Sequence, residues 1–393
     1  MVSDTAWRAE VYDGTLALAG VCDVWTKLAV NLRHRAGGGW TLEVPADHDQ
    51  ADLFTEGARI AVWAPWSTTA PLLSGPVTGL AAVSPNNTSP SLLTVTGVDD
   101  TALLADRIVL PDPTSAMDDQ GADAYWTYTG PAEGAIRTVV GANAGRTALD
   151  GRRICDNDPY NRLAAPGSLL GTTRNARARF DNLLTLVNDL ATIDNLAVRL
   201  YQPPGIPDLY LDVSATTDRS DSVLLSFGVG TLTAATTTVA APTVTNVLVA
   251  GGGEGEERVL LERSDPALAA TWARRIEVLR DARDTSDLTE MAERGDETLA
   301  DAAATAGLSL DPMDLPGQQY GTHYGLGDTV RVQVAGATWT DIVTAVQIDV
   351  TADSGAVVKP SVGNPDTADV NTPAIYKRVR DLTRRLEALE RRT

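Results

Sequence analysis

The chain has 393 residues, 43% of them hydrophobic, and carries a formal net charge of −20 from 52 acidic against 32 basic residues. That length holds about two to four packed domains, and with no apolar run of about 18 residues and no charged start followed by an apolar stretch, neither a membrane span nor a signal peptide is expected. The acidic balance argues against a surface that grips phosphates, which needs clustered lysine and arginine, although a negative wall would let nucleic acid pass without sticking.

The first hundred residues read as β. VYDGTLAL (11–18), GGWTLEV (38–44), ARIAVWA (58–64) and SLLTVTGV (91–98) are short β-branched and aromatic runs punctuated by Gly, Pro and Asn. DDTALLADRIVLP (99–111) suggests one or two helical turns ending at Pro111, and residues 112–135 form a polar boundary or long loop. AIRTVVGANAG (135–145) is short and apolar. In ARARFDNLLTLVNDLATI (176–193), Phe180, Leu183, Leu184, Val187 and Leu190 have the spacing of an amphipathic helix. NLAVRLYQ and PDLYLDVS then predict two strands joined by the PPGIP turn at 203–207. Cys22 and Cys155 lie far apart and match no metal or redox spacing, so no disulfide scaffold is expected and the compartment of assembly reads as cytosolic.

Residues 236–250 are again β-prone and lead into GGGEGEERVLLER (251–263). Its glycines lack the Gly-Lys-Ser/Thr ending of a phosphate loop and set three glutamates where phosphate would lie, so the stretch is expected to be a hairpin tip. Residues 272–287 are charged, and LTEMAERGDETLADAAATAG (288–307) predicts a helix with Gly307 as its C-cap. A new β segment runs from there to about residue 360. The last stretch, TPAIYKRVRDLTRRLEALERRT, spaces Ile375, Val379, Leu382, Leu386 and Leu389 by 4, 3, 4 and 3. That is a heptad seam, too short to stand alone and therefore expected to pack on partner helices of an oligomer or on the protein's own body.

Two stretches far apart share one frame. LFTEGARIAVW (53–63) and YGLGDTVRVQV (324–334) both place a glycine three residues before a β-branched residue and five before a valine, so that Gly57, Ile60 and Val62 correspond to Gly327, Val330 and Val332. Further on, Val77-Thr78 and Val343-Thr344 begin a second apolar strand in each. Related hairpins at this separation are what a duplicated small barrel with an inserted middle would leave, and two such barrels in each of three subunits would build a ring of six similar parts.

The chain resembles the tail hub family (minor tail protein, baseplate hub) of long-tailed phages infecting actinobacteria. The residues that carry the resemblance are RHRAGGGWTLEVPADHDQADLFTEGARIAVW (33–63) with LLSGPVTGL (72–80), TNVLVAGGGEGEERV (245–259), RRIEVLRDARD (274–284), YGLGDTVRVQVAG (324–336) and VVKPSVGNP (357–365). It implies an α+β, mostly β fold: a first β-barrel-like hub domain over 1–111, an α+β inserted domain over 112–235, a linking segment of β and helices over 236–318, strands over 319–365 completing a second barrel-like domain, and a short coiled-coil helix over 373–393. It further implies a homotrimer closing the distal end of the tail tube at the tail tip of the virion, assembled in the host cytoplasm. Its partners would be the distal tail ring, the tape-measure protein and a downstream tip or central fibre protein, with DNA only in transit and no membrane. No cofactor and no catalysis are expected.

The residues themselves offer little chemistry. His34, His48 and His323 are scattered over predicted loops or turns, and neither HExxH nor GxSxG occurs. Asp47-His48-Asp49 resembles a metal cluster but reads better as a solvated turn. Asp156, Asn157 and Asp158 group hard oxygen donors without the ladder of a calcium loop. Trp63 and Trp66 suggest either core tryptophans or a sugar platform. The second functional class is therefore a tail-tip module that binds or cuts host-surface glycan.

Overall fold

The computed structural model describes residues 7–83, 91–155, 169–283, 285–302, 305–312, 317–334, 337–351 and 355–363. The chain forms two compact units, one of residues 1–223, 314–330 and 342–359, the other of 224–313, 331–341 and 360–393. The heptad residues Ile375, Val379, Leu382, Leu386 and Leu389, and Asp156 to Asp158, lie outside the described residues.

The first unit begins with seven strands: β1 (Arg8–Tyr12), β2 (Leu18–Cys22), β3 (Lys27–Arg33), β4 (Gly39–Pro45), β5 (Arg59–Trp63), β6 (Leu73–Val83) and β7 (Leu92–Val98). They pair antiparallel in the order β3-β4-β7-β6-β5-β1-β2, and residues 345–351 add an antiparallel strand beside β3. Period-two alternation builds these strands: Leu28, Val30 and Leu32 of β3 are buried while Lys27, Asn31 and Arg33 face out. Every residue of β5 is buried, which suits the middle of a sheet.

The expected closed barrel is not found: among the described residues this sheet stays open, with β2 pairing only with β1. Alternation commits one face of each strand to the core, but closure depends on which distant edges meet. The run 11–18, expected as one strand, is instead split: Val11 and Tyr12 end β1, residues 13–17 form the turn and Leu18 opens β2. Asp13 Oδ1 accepts from the N–H groups of Thr15 at 2.8 Å and Ala17 at 3.1 Å, and this local bonding outcompetes extension.

The rest of this unit alternates strands and helices: β8 (Trp126–Pro131), α1 (Ala132–Asn143), β9 (Thr173–Ala178), α2 (Leu183–Thr192), β10 (Leu196–Tyr201) and β11 (Tyr210–Ala215). The expected helix over 176–193 is therefore only its second half. Asn182 caps α2, its Oδ1 accepting from the N–H of Thr185 at 3.2 Å, and Phe180 lies before the cap at φ 60°. Ile136, Val139 and Val140 of α1 meet Leu183 and Val187 of α2 in a core where each is fully buried, each apolar side chain contributing about 1.5–3 kcal/mol. The buried α1 holds an ion pair, Glu133 Oε1 to Arg137 Nε at 2.8 Å, and Glu133 Oε2 also accepts from the N–H of Leu170 at 2.8 Å.

In the second unit the chain continues through β12 (Leu224–Ser226), β13 (Leu232–Ala240), β14 (Asn246–Ala250), β15 (Leu260–Ser264), α3 (Pro266–Thr271), β16 (Glu277–Asp281), α4 (Leu288–Asp301) and β17 (Thr305–Pro312). The last strands are β18 (Thr329–Val334), β19 (Ala337–Thr351) and β20 (Gly355–Val362). A three-stranded sheet, β15-β14-β16, buries Val247 and Val249 against Met291 of α4. The glycine-rich stretch 251–259 is the tip of the β14–β15 hairpin, as its composition implies. Gly307, expected as the C-cap of α4, lies instead within β17 opposite Thr238 of β13, because strand pairing claims the chain from Thr305 on.

Candidate functional site

The two repeated frames adopt the same local backbone. Gly57 has φ 82° and stands two residues before β5; Gly327 has φ 87° and stands two residues before β18. Only glycine takes this conformation freely, which explains its place in each turn. The residue after each glycine then accepts one equivalent hydrogen bond: the N–H of Val77 donates to Ala58 O, and that of Val343 donates to Asp328 O, each at 2.9 Å. Ile60, Val62, Val330 and Val332 are all fully buried. The frames differ in their neighbours: β5 lies antiparallel between β1 and β6, whereas β18 runs parallel to β12, and no pairing joins β5 to β18.

The Gly327 turn is docked on a polar node that the sequence did not reveal. Asn195, at φ 47°, donates from Nδ2 to Gly327 O at 3.3 Å and to Thr216 Oγ1 at 2.6 Å, while Thr216 Oγ1 donates to Asn195 O at 2.7 Å. His34 Nε2 lies 3.3 Å from Asn195 Oδ1. Burial, aided by the Arg35 charge and opposed by that Asn195 contact, pulls the His34 pKa down to about 4, so the ring is neutral at neutral pH. Asp328 completes the node: its carboxylate accepts from the N–H groups of Thr217 at 2.8 Å and Gly325 at 2.9 Å.

Beside the node lies a cavity of about 290 Å³, lined by His34, Asp99, Arg199, Asp212, Tyr320 and Leu326 among others. Asp99 is raised to about 6 by burial, against the lowering effect of Gly38 and Ala102 N–H groups that donate to it at 2.7 and 3.0 Å. Burial also pushes the Tyr320 hydroxyl above the ordinary phenol range. Asp99 thus ties the Gly38 and Ala102 backbone to the cavity wall.

The remaining candidates resolve into structural roles. His48 caps a 3-10 turn (Asp49–Leu53), its Nδ1 accepting from the N–H of Gln50 at 3.2 Å, and among the described residues no cluster of three metal-ligating side chains occurs. Trp63 is 3% exposed with Arg8 over its ring at 4.7 Å, and Trp66 packs edge-on against Trp7 at 5.3 Å and Tyr320 at 6.1 Å. Trp63 is a core side chain, and Trp66 is a half-buried member of an aromatic cluster. His323 Nδ1 accepts from the N–H of Gln319 at 3.2 Å, and both cysteines are buried and outside any disulfide. The buried network of Arg59, Asp100 and Ser74 went unread in the sequence; Ser74 Oγ donates to Asp100 at 2.6 Å and accepts from the N–H of Gln202 at 2.8 Å.

Residues 8–364 match the family described as Siphovirus ReqiPepy6 Gp37-like protein. Among solved structures, the 43 kDa tail protein of prophage MuSo2 from Shewanella oneidensis aligns at a TM-score of 0.52 and 12% identity, over 92% of this chain and 100% of that one. The tail protein from Neisseria meningitidis MC58 aligns at 0.50 and 10% identity, over 92% and 98%. At these identities the likeness is one of fold. No curated protein matches the chain significantly.

Proposed function

The chain belongs to the Siphovirus ReqiPepy6 Gp37-like family and has the fold of phage tail proteins, and from that premise we propose that it is the tail hub. In this reading it is a structural virion protein whose trimer closes the distal end of the tail tube, joins the distal tail ring to the tip or central fibre, and lets the tape-measure protein and DNA leave through its lumen. The observation that carries the proposal is the matched pair of turns at Gly57 and Gly327, each closed by the same valine-to-turn hydrogen bond. A ring that must meet a sixfold tube with three subunits needs two similar elements per chain. The heptad residues Ile375 to Leu389 supply a threefold stalk in this scheme. A net charge of −20 suits a lumen through which DNA slides without binding.

The glycan-binding alternative has no support from the tryptophans, since Trp63 is buried and Trp66 is packed edge-on. Light scattering of the purified chain tests the hub: a trimeric mass, with threefold particles and a central hole in negative stain, is expected. A chain that stays monomeric, alone and with a distal tail ring, would refute it.

A further inference from the structure

The hairpin of β8 and β9 has one face in the core and one in solvent. Trp126, Ala176 and Ala178 point inward, whereas Arg177, opposite Thr127, points outward. The guanidinium of Arg177 lies 3.4 Å from the ring centre of Tyr125, and that of Arg179 lies 6.0 Å from the same ring and 5.5 Å from Phe180. Tyr125 is 38% and Phe180 44% exposed. Neither arginine forms an ion pair among the described residues.

Phe180 is the telling residue. It is exposed and held at φ 60°, a conformation that a bulky side chain rarely adopts and that stability alone would fill with Gly or Asn. Its backbone is clamped from both sides: the N–H of Phe180 donates to Val109 O at 2.8 Å, the N–H of Val109 donates to Asp181 O at 2.8 Å, and Asp181 Oδ2 accepts from the N–H of Arg179 at 2.8 Å. The turn thus sets an exposed Phe180 beside Arg179, and both Arg177 and Arg179 lie near the Tyr125 ring. Tyr, Phe and Arg side by side are the composition of a protein-binding hot spot.

We propose that this shelf is an assembly surface that receives the acidic surface of a second copy of this chain. The argument is charge. The chain carries 52 acidic residues against 32 basic, so a second copy offers carboxylates widely, while these two arginines have no ion-pair partner among the described residues. A twofold contact through the shelf would set Arg177 and Arg179 against themselves. The contact is therefore head-to-tail, and head-to-tail contacts make a ring when the rotation between subunits closes. This rests on the hub reading and names the surface through which its subunits join.

The test is sedimentation equilibrium of the full chain at low and at about 0.5 M salt, where exposed ion pairs are screened. Three proteins are compared: wild type, Arg177→Glu with Arg179→Glu, and Phe180→Gly. The charge reversal is expected to weaken self-association at least about tenfold with unchanged circular dichroism. Phe180→Gly is expected to weaken it several-fold while the melting temperature holds or rises, a combination that a purely structural role would not produce. If wild type assembles and both variants assemble equally, the shelf inference is overturned and the hub reading stands. A wild-type chain that stays monomeric at every concentration, alone and with a distal tail ring, overturns both. A single-stranded oligonucleotide bound by wild type and lost in the charge reversal, with mass unchanged, would assign the shelf to nucleic acid instead.

Discussion

The backbone N–H of Val343 donates to the carbonyl of Asp328 at 2.9 Å, closing the turn that Gly327 opens at φ 87°. Val77 and Ala58 make the same bond after Gly57, but the two glycines differ in what surrounds them. A Cβ at Gly57 meets nothing within 4 Å, whereas one at Gly327 would stand 2.6 Å from His34 Cε1 and 2.8 Å from Thr216 Cγ2.

Gly57→Ala is therefore expected to cost only the backbone penalty of a left-handed residue, about 1–2 kcal/mol. Gly327→Ala should cost at least about 1 kcal/mol more, because the His34 ring and the Thr216 methyl must give way. Urea unfolding of the two variants measures the difference. Equal losses would show that the His34 node yields freely.

The cavity sets two opposed titrations side by side. Asp99, raised to about 6 from 3.8, holds its proton more tightly when folded, so acidification through that window adds stability. His34, lowered to about 4 from 6.5, must be neutral when folded, so acidification through nearly the same window removes stability. Relative to wild type, Asp99→Asn should lose stability as the pH falls from 6.5 to 4, and His34→Gln should gain it, each on the order of 2–3 kcal/mol. Chemical denaturation across that range gives both differences; parallel pH profiles for all three proteins would contradict the assignment.

Glu133→Ala would leave Arg137 buried without its carboxylate and remove the acceptor of the Leu170 N–H. A loss of about 3–5 kcal/mol is expected, with a smaller loss for the double replacement Glu133→Leu and Arg137→Met, which removes both charges. The double replacement proving the worse of the two would show that the pair is net stabilising.

Leu382→Asp with Leu386→Asp places charge on the heptad seam read from the sequence and is expected to reduce the oligomeric mass of the chain. An unchanged mass by light scattering would remove the C-terminal stalk from the hub scheme and leave the ring to other surfaces.

Much of the local structure was legible because its causes are local. Gly253 and Gly255, both at positive φ, mark a hairpin tip whatever surrounds them, and strands β4, β5, β7, β10, β11 and β18 fell where their β-branched and aromatic runs put them. The helix α2 was legible only from its cap onward. Its apolar spacing extended back to Phe180, yet Asn182 and the Asp181 carboxylate bind backbone N–H groups and stop the helix there. Strand β3 passed unread although it alternates cleanly, and β6 was read only from Val77 onward.

By itself, then, the sequence determined the two glycine turns, the buried valines that follow them, the hairpin tip and the mostly β character, since φ preference and side-chain alternation act over a few residues. Only the tertiary structure decided that the sheet stays open, that Gly307 joins a strand, and that Asn195 reaches Gly327 across 132 positions of sequence. The same holds for the Arg177–Tyr125 shelf and for the burial that moves His34 and Asp99 in opposite directions. These depend on which distant edges and side chains meet when the core closes, and no local period encodes that choice.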